Sequence, residues 1–522
     1  MSAPASASRT RNSTRNAAAG VICQALTMLL AFLVRMVFVR TLSEDYLGIS
    51  GWFSGILSIL SISELGIGTA VVVSLYQPLA EGNEPQIRAT LRLLRRAYFY
   101  VGFAMLALGL ALLPFLPSLV KEHTALVNLQ VVYVLYLSQS VFSYLFGGYK
   151  AAIFTANQQQ SRIHFWGLCA SVLTAIAQTA ALYIWHNYYA YVTVFALSSV
   201  LKNLLIAKSA NRTYAYVRDV ARQRPDEDDE QYLPREKRRD IFRNLFGLSL
   251  YRVSGTVLNV TDTLVLGGFI GFGVIGLHSN YLLAVTAVTT VLTLLFQSLT
   301  ASVGNLNVTG TPEHKHFIFR CLNLLDGWLY GVSAVCLFVL LDPFVEIFFG
   351  KEWVFTDARI VPVIALNFLT SGLLENVIMH KDACGLFWQG RFRPIFSAGL
   401  NIALSIWWVG PLGLFGVLLA TVVSRLLTTW WFDPWMVHHY ALKASVRGYV
   451  KQTLLVLAAA ALCGAGLKVL AQWWFPQVTV FGFAVMILCC AVIPNVLFYG
   501  LFSRRKEFTY LKEKLLEQAK KR

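Results

Sequence analysis

The chain has 522 residues, 56% of them hydrophobic and only 14% charged, with a formal net charge of +17. Roughly a quarter of the residues in an ordinary soluble domain are charged, so this composition excludes a soluble globular protein. The charges occur in short runs between apolar stretches of about twenty residues, the length that crosses a bilayer, so the positive charge does not indicate a nucleic-acid-binding surface.

These apolar stretches predict an all-α polytopic membrane protein with about fourteen transmembrane helices. The spans are expected at residues 17–39, 50–76, 97–119, 127–149, 164–184, 189–209, 245–270, 279–303, 320–341, 360–380, 394–411, 412–431, 452–471 and 479–501. If the N-terminal tail, residues 1–14, is cytoplasmic, few of the 44 lysines and arginines fall in outer loops, namely Arg40, Lys121, Lys351 and Arg359. This asymmetry follows the positive-inside rule, so we expect a multi-pass protein of the cell membrane with both termini in the cytoplasm.

A charged cytoplasmic linker at 210–240, which contains the acidic run 226–230, separates the first six spans from the rest. It predicts an N-lobe at 15–209 with spans 1–6 and a C-lobe at 241–442 with spans 7–12. Spans 13 and 14, at 443–502, would then be appended to this pair of six-helix lobes.

A weak internal repeat also favours two lobes. The first predicted hairpin contains Tyr46–Phe53, and a similar segment, Val274–Tyr281, stands between spans 7 and 8. Both hairpins follow a long span that leaves the cytoplasm, so the repeat would be parallel, with its axis along the membrane normal.

The basic C-terminal tail, residues 503–522, has its own pattern. Phe508, Leu511 and Leu515 recur at helical spacing among lysines. Such a pattern predicts an amphipathic helix that lies on the anionic lipids of the inner leaflet.

Several features argue against an enzyme. The outer loops are short, the longest lying near 342–359, and leave no room for the acceptor site of a membrane glycosyltransferase or polymerase. The sequence contains no P-loop motif. His314 with His316, and His438 with His439, lack a surrounding set of ligands and are typical of solvated loops. We therefore expect no catalytic residue, no metal site and no cofactor.

Charged residues inside the predicted spans need an explanation, because each costs at least about 2.5–3.5 kcal/mol on insertion scales. Glu64 lies about 21 Å along span 2. It is either a carboxyl kept neutral or bonded by a neighbouring helix, or a site for ion coupling. Asp262 and Arg252 lie on different faces of span 7, so they are not expected to pair with each other. Asp262 is a second candidate for ion coupling or gating.

Arginines in spans 1 and 7 suggest a binding cavity. Arg35, near the outer end of span 1, either snorkels to the interface or lines a cavity. Overlay of the repeat favours spans 1 and 7 facing one another, with Arg35 and Arg252 as cations of a central cavity. Guanidinium binds phosphate in bidentate fashion and stays charged when desolvated, so the expected ligand is a lipid that carries phosphate or pyrophosphate. Contacts at helix ends are expected for Asp326 and Glu375. Arg425 and Lys468 are expected to snorkel towards the membrane surface.

Several segments resemble the polysaccharide biosynthesis flippases of the multidrug/oligosaccharidyl-lipid/polysaccharide exporter superfamily. The matching segments are Arg11–Leu42, Tyr46–Gly48, Ser63–Ala70, Tyr76–Ala80, Lys381–Phe387, Arg391–Pro394 and, in the run 401–421, Asn401, Ser405, Gly413, Gly416 and Thr421. The matching segments occur in the same order and at similar spacing as in that family, and together they extend over most of the chain. The resemblance implies a two-lobed, V-shaped bundle of fourteen helices with alternating access and a cationic central cavity, in which Arg35 and Arg252 stand where such flippases often carry cations.

The resemblance also implies a task. It indicates an ion-driven flippase that moves an undecaprenyl-(pyro)phosphate-linked oligosaccharide from the inner to the outer leaflet for cell-surface polysaccharide synthesis. H⁺ or Na⁺ would be the coupling ion, and we expect a monomer with no nucleic-acid partner. The alternatives are a multidrug or cation exporter of the same superfamily, which predicts an acidic cavity, and a membrane glycosyltransferase or polymerase, against which the short outer loops count.

Overall fold

The computed structural model describes residues 5–61, 67–120, 126–220, 260–386 and 388–520. Within those ranges every regular element is a helix, which confirms the expected all-α fold. The chain divides into two compact units, which we call unit 1 (Met1–Val260) and unit 2 (Thr261–Arg522). The predicted boundaries of the linker and lobes stay a prediction, because 221–259 fall outside the described ranges.

Unit 1 contains the first helices of the chain. They are α1 (Ala5–Thr41), α2 (Glu44–Leu60), α3 (Ile67–Glu81), α4 (Glu84–Leu112), α5 (Leu129–Leu145), α6 (Ala151–Ala156), α7 (Gln160–Trp185), α8 (Tyr188–Thr213) and α9 (Ala215–Asp219). A 3-10 turn, Gly148–Lys150, precedes α6. The helix α1 packs along α7, and α5 packs along α8. A buried apolar core that includes Leu91, Ile153 and Phe154 joins α4 to α6.

Unit 2 contains the remaining described helices. They are α10 (Val260–Phe269), α11 (Phe272–Thr309), α12 (Pro312–Phe349), α13 (Ile360–Gly372), α14 (Glu375–Ala383), α15 (Arg393–Met436), α16 (Arg447–Trp474), α17 (Val480–Phe502) and α18 (Lys506–Lys520). The long α12 packs against α13, α16 and α17. Glycines permit this close approach: a Cβ added at Gly331 would collide with the ring of Phe498, and one at Gly372 with that of Tyr330. Small residues let helix backbones come together in membranes.

Polar side chains fix where several helices begin. The Asn128 Oδ1 accepts two backbone N–H groups at the start of α5, and the Asn187 Oδ1 accepts one at the start of α8. Thr311 and Thr479 do the same for α12 and α17. Each side chain thereby satisfies a donor that the first helical turn leaves without a partner.

The helix α15 is a hairpin rather than one continuous helix. Gly413 has φ 59° and ψ −140°, in the region that favours glycine, and the chain reverses there. Side chains pair across this point at Asn401 and Thr421, Ser397 and Thr428, and Arg393 and Asp433. The two residues of the last pair would be about 60 Å apart in a straight helix. The predicted boundary between spans 11 and 12 therefore lies at this turn.

The described residues support repeated crossing of a membrane. Ten described helices are long and apolar enough to span it, and Leu129–Leu145 with Gly148–Ala156, bent by 46°, gives an eleventh. One of the ten is Arg393–Leu442, the hairpin that holds two predicted spans. Spans 2 and 7 include residues outside the described ranges. The polytopic class is confirmed, whereas the total of about fourteen stays a prediction.

The predicted amphipathic tail is a helix, α18, and one side of it packs on α12 of the same unit. The ring of Phe508 stacks on that of Trp328 at 5.7 Å, and the ring of Tyr510 lies 5.3 Å from that of Phe317. Arg320 and Glu507 form an ion pair at 3.3 Å. Phe508, which we expected to face lipid, therefore contacts the protein, since Trp328 offers it an aromatic partner.

Two histidine expectations need correction. His438 is buried, with its Nδ1 2.7 Å from the carbonyl oxygen of Pro434, and its ring lies 4.8 Å from that of Phe319. It is therefore not solvated, because the π-type turn Val437–Leu442 returns it to the protein interior. His316 packs beside it, with the two rings 6.1 Å apart.

Candidate functional site

The clearest polar cluster among the described membrane helices surrounds Asp262 in unit 2. The Oγ1 of Thr421 lies 2.9 Å from each carboxylate oxygen of Asp262 and donates its proton to them. The same hydroxyl oxygen accepts a hydrogen bond from the Nδ2 of Asn401 at 2.9 Å. Three helical segments, α10 and both halves of α15, thus contribute to one chain of hydrogen bonds. We call Asp262, Thr421, Asn401 and Ser405 the oxygen cluster.

The hairpin explains why these residues meet. The turn at Gly413 places Asn401 in the first half of α15 beside Thr421 in the second half. Ser405 stands one turn after Asn401 and so shares its face of the helix. The Asn401 Oδ1 and the Ser405 Oγ are buried and have no hydrogen-bond partner. Buried polar atoms without partners are rare in folded proteins and suggest an absent ligand.

The cluster has the chemistry of a site for a small cation or a proton. Its atoms include a carboxylate, an amide oxygen and two hydroxyl oxygens, which are the donors that hard cations prefer. Asp262 is only partly exposed, so its charge is disfavoured unless something neutralises it. The described part of the chain contains no group of three or more His, Cys, Asp or Glu side chains that could hold a metal ion.

Arg425 belongs to the same region, although we expected it to snorkel. It lies one turn after Thr421 and within electrostatic range of Asp262. Its Nη1 donates to the carbonyl oxygen and the Oδ1 of Asn367, at 3.0 and 2.6 Å, and to the Thr370 Oγ1 at 3.0 Å. The expectation was wrong, because α13 supplies acceptors inside the unit and the side chain has no need to reach water.

Other charges in unit 2 are held by partners. The carboxylate of Asp433 is fully buried between two cations, with Arg393 Nε at 3.0 Å and Lys381 Nζ at 3.6 Å. Lys468, also expected to snorkel, forms an ion pair with Asp342 at 3.2 Å. Sequence reasoning missed both arrangements. Arg393 and Asp433 lie at nearly equal distances along the chain from Gly413. A hairpin at that glycine would bring them together, so this spacing was the signal in the sequence that could have predicted their ion pair.

Asp326 differs from these paired charges. It is fully buried in α12, and the charged group that acts on it is another carboxylate rather than a cation. The partly exposed Glu375, at the start of α14, is a like charge within electrostatic range. The backbone N–H of Asn376, in the first turn of α14, interacts with the carboxyl, which is the kind of helix-end contact that we expected.

In unit 1, Arg35 lies among tyrosines. It is partly exposed on α1 and within electrostatic range of Tyr136 on α5 and Tyr191 on α8. The Ser50 Oγ lies 2.8 Å from the hydroxyl oxygen of Tyr188, which belongs to the same cluster. Arg35 therefore lies near tyrosines from two other helices of its own unit.

Two predicted site residues, Glu64 and Arg252, lie outside the described residues. Asp262 and Arg35 belong to different units. The pairing of Arg35 with Arg252 across a central cavity accordingly stays a prediction.

Comparison with solved structures identifies the fold. No family model and no curated protein matches the sequence. The lipid II flippase MurJ, in an inward closed conformation, superposes with a TM-score of 0.64 at 13% identity, and the match covers 93% of this chain and 98% of MurJ.

Exporters share the same fold. An inward-facing multidrug resistance MATE family transporter of the MOP superfamily gives a TM-score of 0.60 at 14% identity, covering 83% of this chain and 99% of that one. A mutant of the Vibrio cholerae MATE transporter VcmN gives 0.54 at 13% identity, covering 84% and 100%. The expected resemblance to this superfamily is confirmed at the level of the fold.

Proposed function

We propose that this chain, with the fold shared by the flippase and the exporters, is an ion-driven flippase for a lipid-linked glycan. It would move an undecaprenyl-(pyro)phosphate-linked oligosaccharide from the inner to the outer leaflet for cell-surface polysaccharide synthesis. The observation that carries the ion-driven part is the oxygen cluster, in which Asp262 bonds Thr421 and two buried oxygens lack partners. The similarity to MurJ, over nearly the whole of both chains, supports the flippase part.

The coupling ion would be H⁺ or Na⁺, bound at Asp262. A cation that enters the oxygen cluster neutralises the carboxylate and supplies a partner for the Asn401 and Ser405 oxygens. Because those oxygens come from α10 and both halves of α15, binding draws these segments together. An ion gradient can thus bias unit 2 between two arrangements, since a ligand shifts an equilibrium by its difference in affinity for the two states.

Cells that depend on this protein for a surface glycan provide the test. Asp262→Asn is expected to abolish surface glycan and to cause lipid-linked precursor to accumulate, with normal protein levels. The matched control is Asp357→Asn, which changes a partly exposed loop carboxylate that pairs with Arg359. Full glycan display with Asp262→Asn would contradict the coupling role.

The cations proposed for the substrate are Arg35 and Arg252. Arg35→Ala and Arg252→Ala are each expected to abolish surface glycan, because a pyrophosphate group loses a bidentate partner. Arg40→Ala, at the exposed end of α1, is the control and should leave glycan display intact. If both Arg35 and Arg252 variants display full glycan, the cavity assignment is wrong.

A multidrug or cation exporter is the second candidate, and the buried Asp326 beside the like-charged Glu375 favours it. Acidic side chains inside the membrane would suit a cationic substrate. An exporter would lower the accumulation of a cationic dye in cells, and Asp326→Asn would reverse that effect. The flippase proposal expects dye accumulation to be unchanged by the protein.

The orientation and partners of the chain complete the proposal. We place both termini in the cytoplasm, with anionic lipids at the basic surface of α18, and expect a monomer. A cysteine-reactive, membrane-impermeant label that modifies cysteines introduced at Ser503 or Lys512 in intact cells would contradict this orientation.

A further inference from the structure

A cavity of about 800 Å³ lies at one end of unit 1, between α4, α5, α8 and α9. Five basic residues line it, namely Arg95, Lys150, Lys208, Arg212 and Arg218, and we call it the basic cavity. No Asp or Glu is among the described residues that line it. Cations that converge on one space attract an anion.

Lys150 distinguishes the basic cavity from an ordinary cluster of surface lysines beside a membrane, because this side chain is buried. Its exposed fraction is only 7%, and its Nζ donates to the Oδ1 of Asn211 at 2.8 Å. An amide oxygen orients the ammonium group but does not neutralise it. No described carboxylate pairs with Lys150. A buried ammonium without a counter-charge is costly, and a bound anion would remove that cost.

The local fold holds the basic side chains around the cavity. Gly147, with φ 79°, makes the turn after α5 that carries Lys150 against α8. Lys208 and Arg212 are one turn apart on α8 and so lie on one face. The Nη1 of Arg95 donates to the carbonyl oxygen of Val220 at 3.3 Å, which fixes that guanidinium beside the end of α9.

The rest of the lining is apolar and exposed. Leu145, Phe146 and Leu204 line the cavity and are 39%, 41% and 53% exposed. Leu145 and Leu204 belong to helices of the spanning type, so we expect their exposed surfaces to meet acyl chains rather than water. The cavity therefore offers cations to a phosphate and an apolar wall to a hydrocarbon tail.

We propose that the basic cavity binds the phosphate of an anionic phospholipid of the inner leaflet. The phosphate oxygens accept hydrogen bonds from Lys150 and from the Lys208–Arg212 face, and the acyl chains lie along Leu145, Phe146 and Leu204. Charge-assisted bonds of this kind are among the strongest in proteins, and basic pockets between membrane helices suit such head groups. The site is independent of the proposed ion coupling, which involves unit 2.

Lipid binding to the purified full chain tests the proposal. The probe is dioleoylphosphatidylglycerol in detergent, and the readout is the number and affinity of bound lipids by native mass spectrometry. The variant Lys208→Gln/Arg212→Gln removes two exposed cavity cations and is expected to weaken binding at least about tenfold. The control, Arg96→Gln/Lys202→Gln, removes the same charge from exposed positions of α4 and α8 outside the cavity, and should bind within about twofold of the unchanged protein.

Two further arms identify the source of the anion. Dioleoylglycerol, with the same acyl chains but no phosphate, should not bind, and inorganic pyrophosphate should displace the lipid only weakly. If pyrophosphate binds as tightly as the lipid, a soluble phosphate is the ligand. If a peptide with the acidic sequence of residues 226–230 displaces the lipid at lower concentration than pyrophosphate, an acidic segment of this chain is the ligand. Either result, or equal lipid binding by the cavity variant and the control, overturns the proposal.

A buried-position variant provides a check that does not depend on surface charge. Lys150→Met keeps the length of the side chain and removes the ammonium group. It should unfold at a higher temperature than the unchanged protein when no lipid is present, and should lose the thermal stabilisation that phosphatidylglycerol confers. Retained stabilisation by the lipid in this variant would contradict the role of Lys150.

Discussion

At the scale of single residues, the unit 2 carboxylates have very different surroundings. Asp433 lies between two cations, Asp262 accepts a hydroxyl hydrogen bond, and Asp326 has neither kind of partner. Sequence position alone gives no means of separating them, because all three stand within apolar stretches. Their partners come from distant parts of the chain, so each carboxylate's role depends on how the helices pack.

The contrast between Asp326 and Asp433 yields a stability prediction. Both are fully buried. Asp433→Asn removes the buried carboxylate that lies between Arg393 and Lys381 and should destabilise unit 2 by about 3–5 kcal/mol. Asp326→Asn keeps the shape of the side chain but removes a buried carboxyl that lies near a second carboxyl, Glu375, so it should leave the unfolding temperature unchanged or raise it. Thermal unfolding of both purified variants, followed by tryptophan fluorescence, decides the matter. A similar loss of stability in the two variants would contradict this difference between the two sites.

Thr421 allows a finer test of the oxygen cluster. Thr421→Val keeps the shape of the side chain but removes the hydroxyl that bonds both Asp262 and Asn401. A buried group left without its partner costs about 1–3 kcal/mol, so the ion concentration for half-maximal transport should rise about tenfold or more. Thr421→Ser restores the hydroxyl and should recover most of the affinity. An unchanged ion dependence in Thr421→Val would exclude the hydroxyl from the ion site.

At the scale of elements, the α15 hairpin creates the cluster, and its turn rests on one glycine. No atom lies within 4 Å of a Cβ built at Gly413, so a side chain would meet backbone strain but no steric clash. Gly413→Ala should therefore destabilise the protein by about 1–3 kcal/mol. Gly399→Ala, in the same hairpin with open space and no positive φ, should be neutral or stabilising by up to about 1 kcal/mol. Equal unfolding temperatures for the two variants would contradict the strained turn.

At the scale of the whole molecule, hydropathy was enough to predict the helical class and most of the spans. The apolar stretches near 164–184 and 479–501, for example, correspond to α7 and α17. The pairing of side chains was harder to predict. Snorkelling was a reasonable expectation for Arg425 and Lys468, but both find acceptors on neighbouring helices. Tertiary contacts that bring residues 58 and 126 positions apart into contact leave no local trace in the sequence.

The basic cavity is a second feature that depends on tertiary contacts and could not be predicted from the sequence. Lys150, Lys208 and Arg212 contributed to the charge asymmetry that predicts which loops are cytoplasmic. That rule counts charges and carries no information on whether they converge. Their common cavity follows from the turn at Gly147 and the packing of α5 on α8.

The central claim is that an ion gradient drives the movement of a lipid-linked glycan between leaflets. Its most direct test uses the purified full chain in liposomes that carry a fluorescent undecaprenyl-pyrophosphate-linked oligosaccharide, with transfer between leaflets followed by a membrane-impermeant quencher. We predict transfer that accelerates under an imposed Na⁺ or H⁺ gradient and loses this acceleration in Asp262→Asn, while Asp357→Asn retains it. Transfer at the rate of protein-free liposomes, or transfer that no ion gradient affects, would contradict the account.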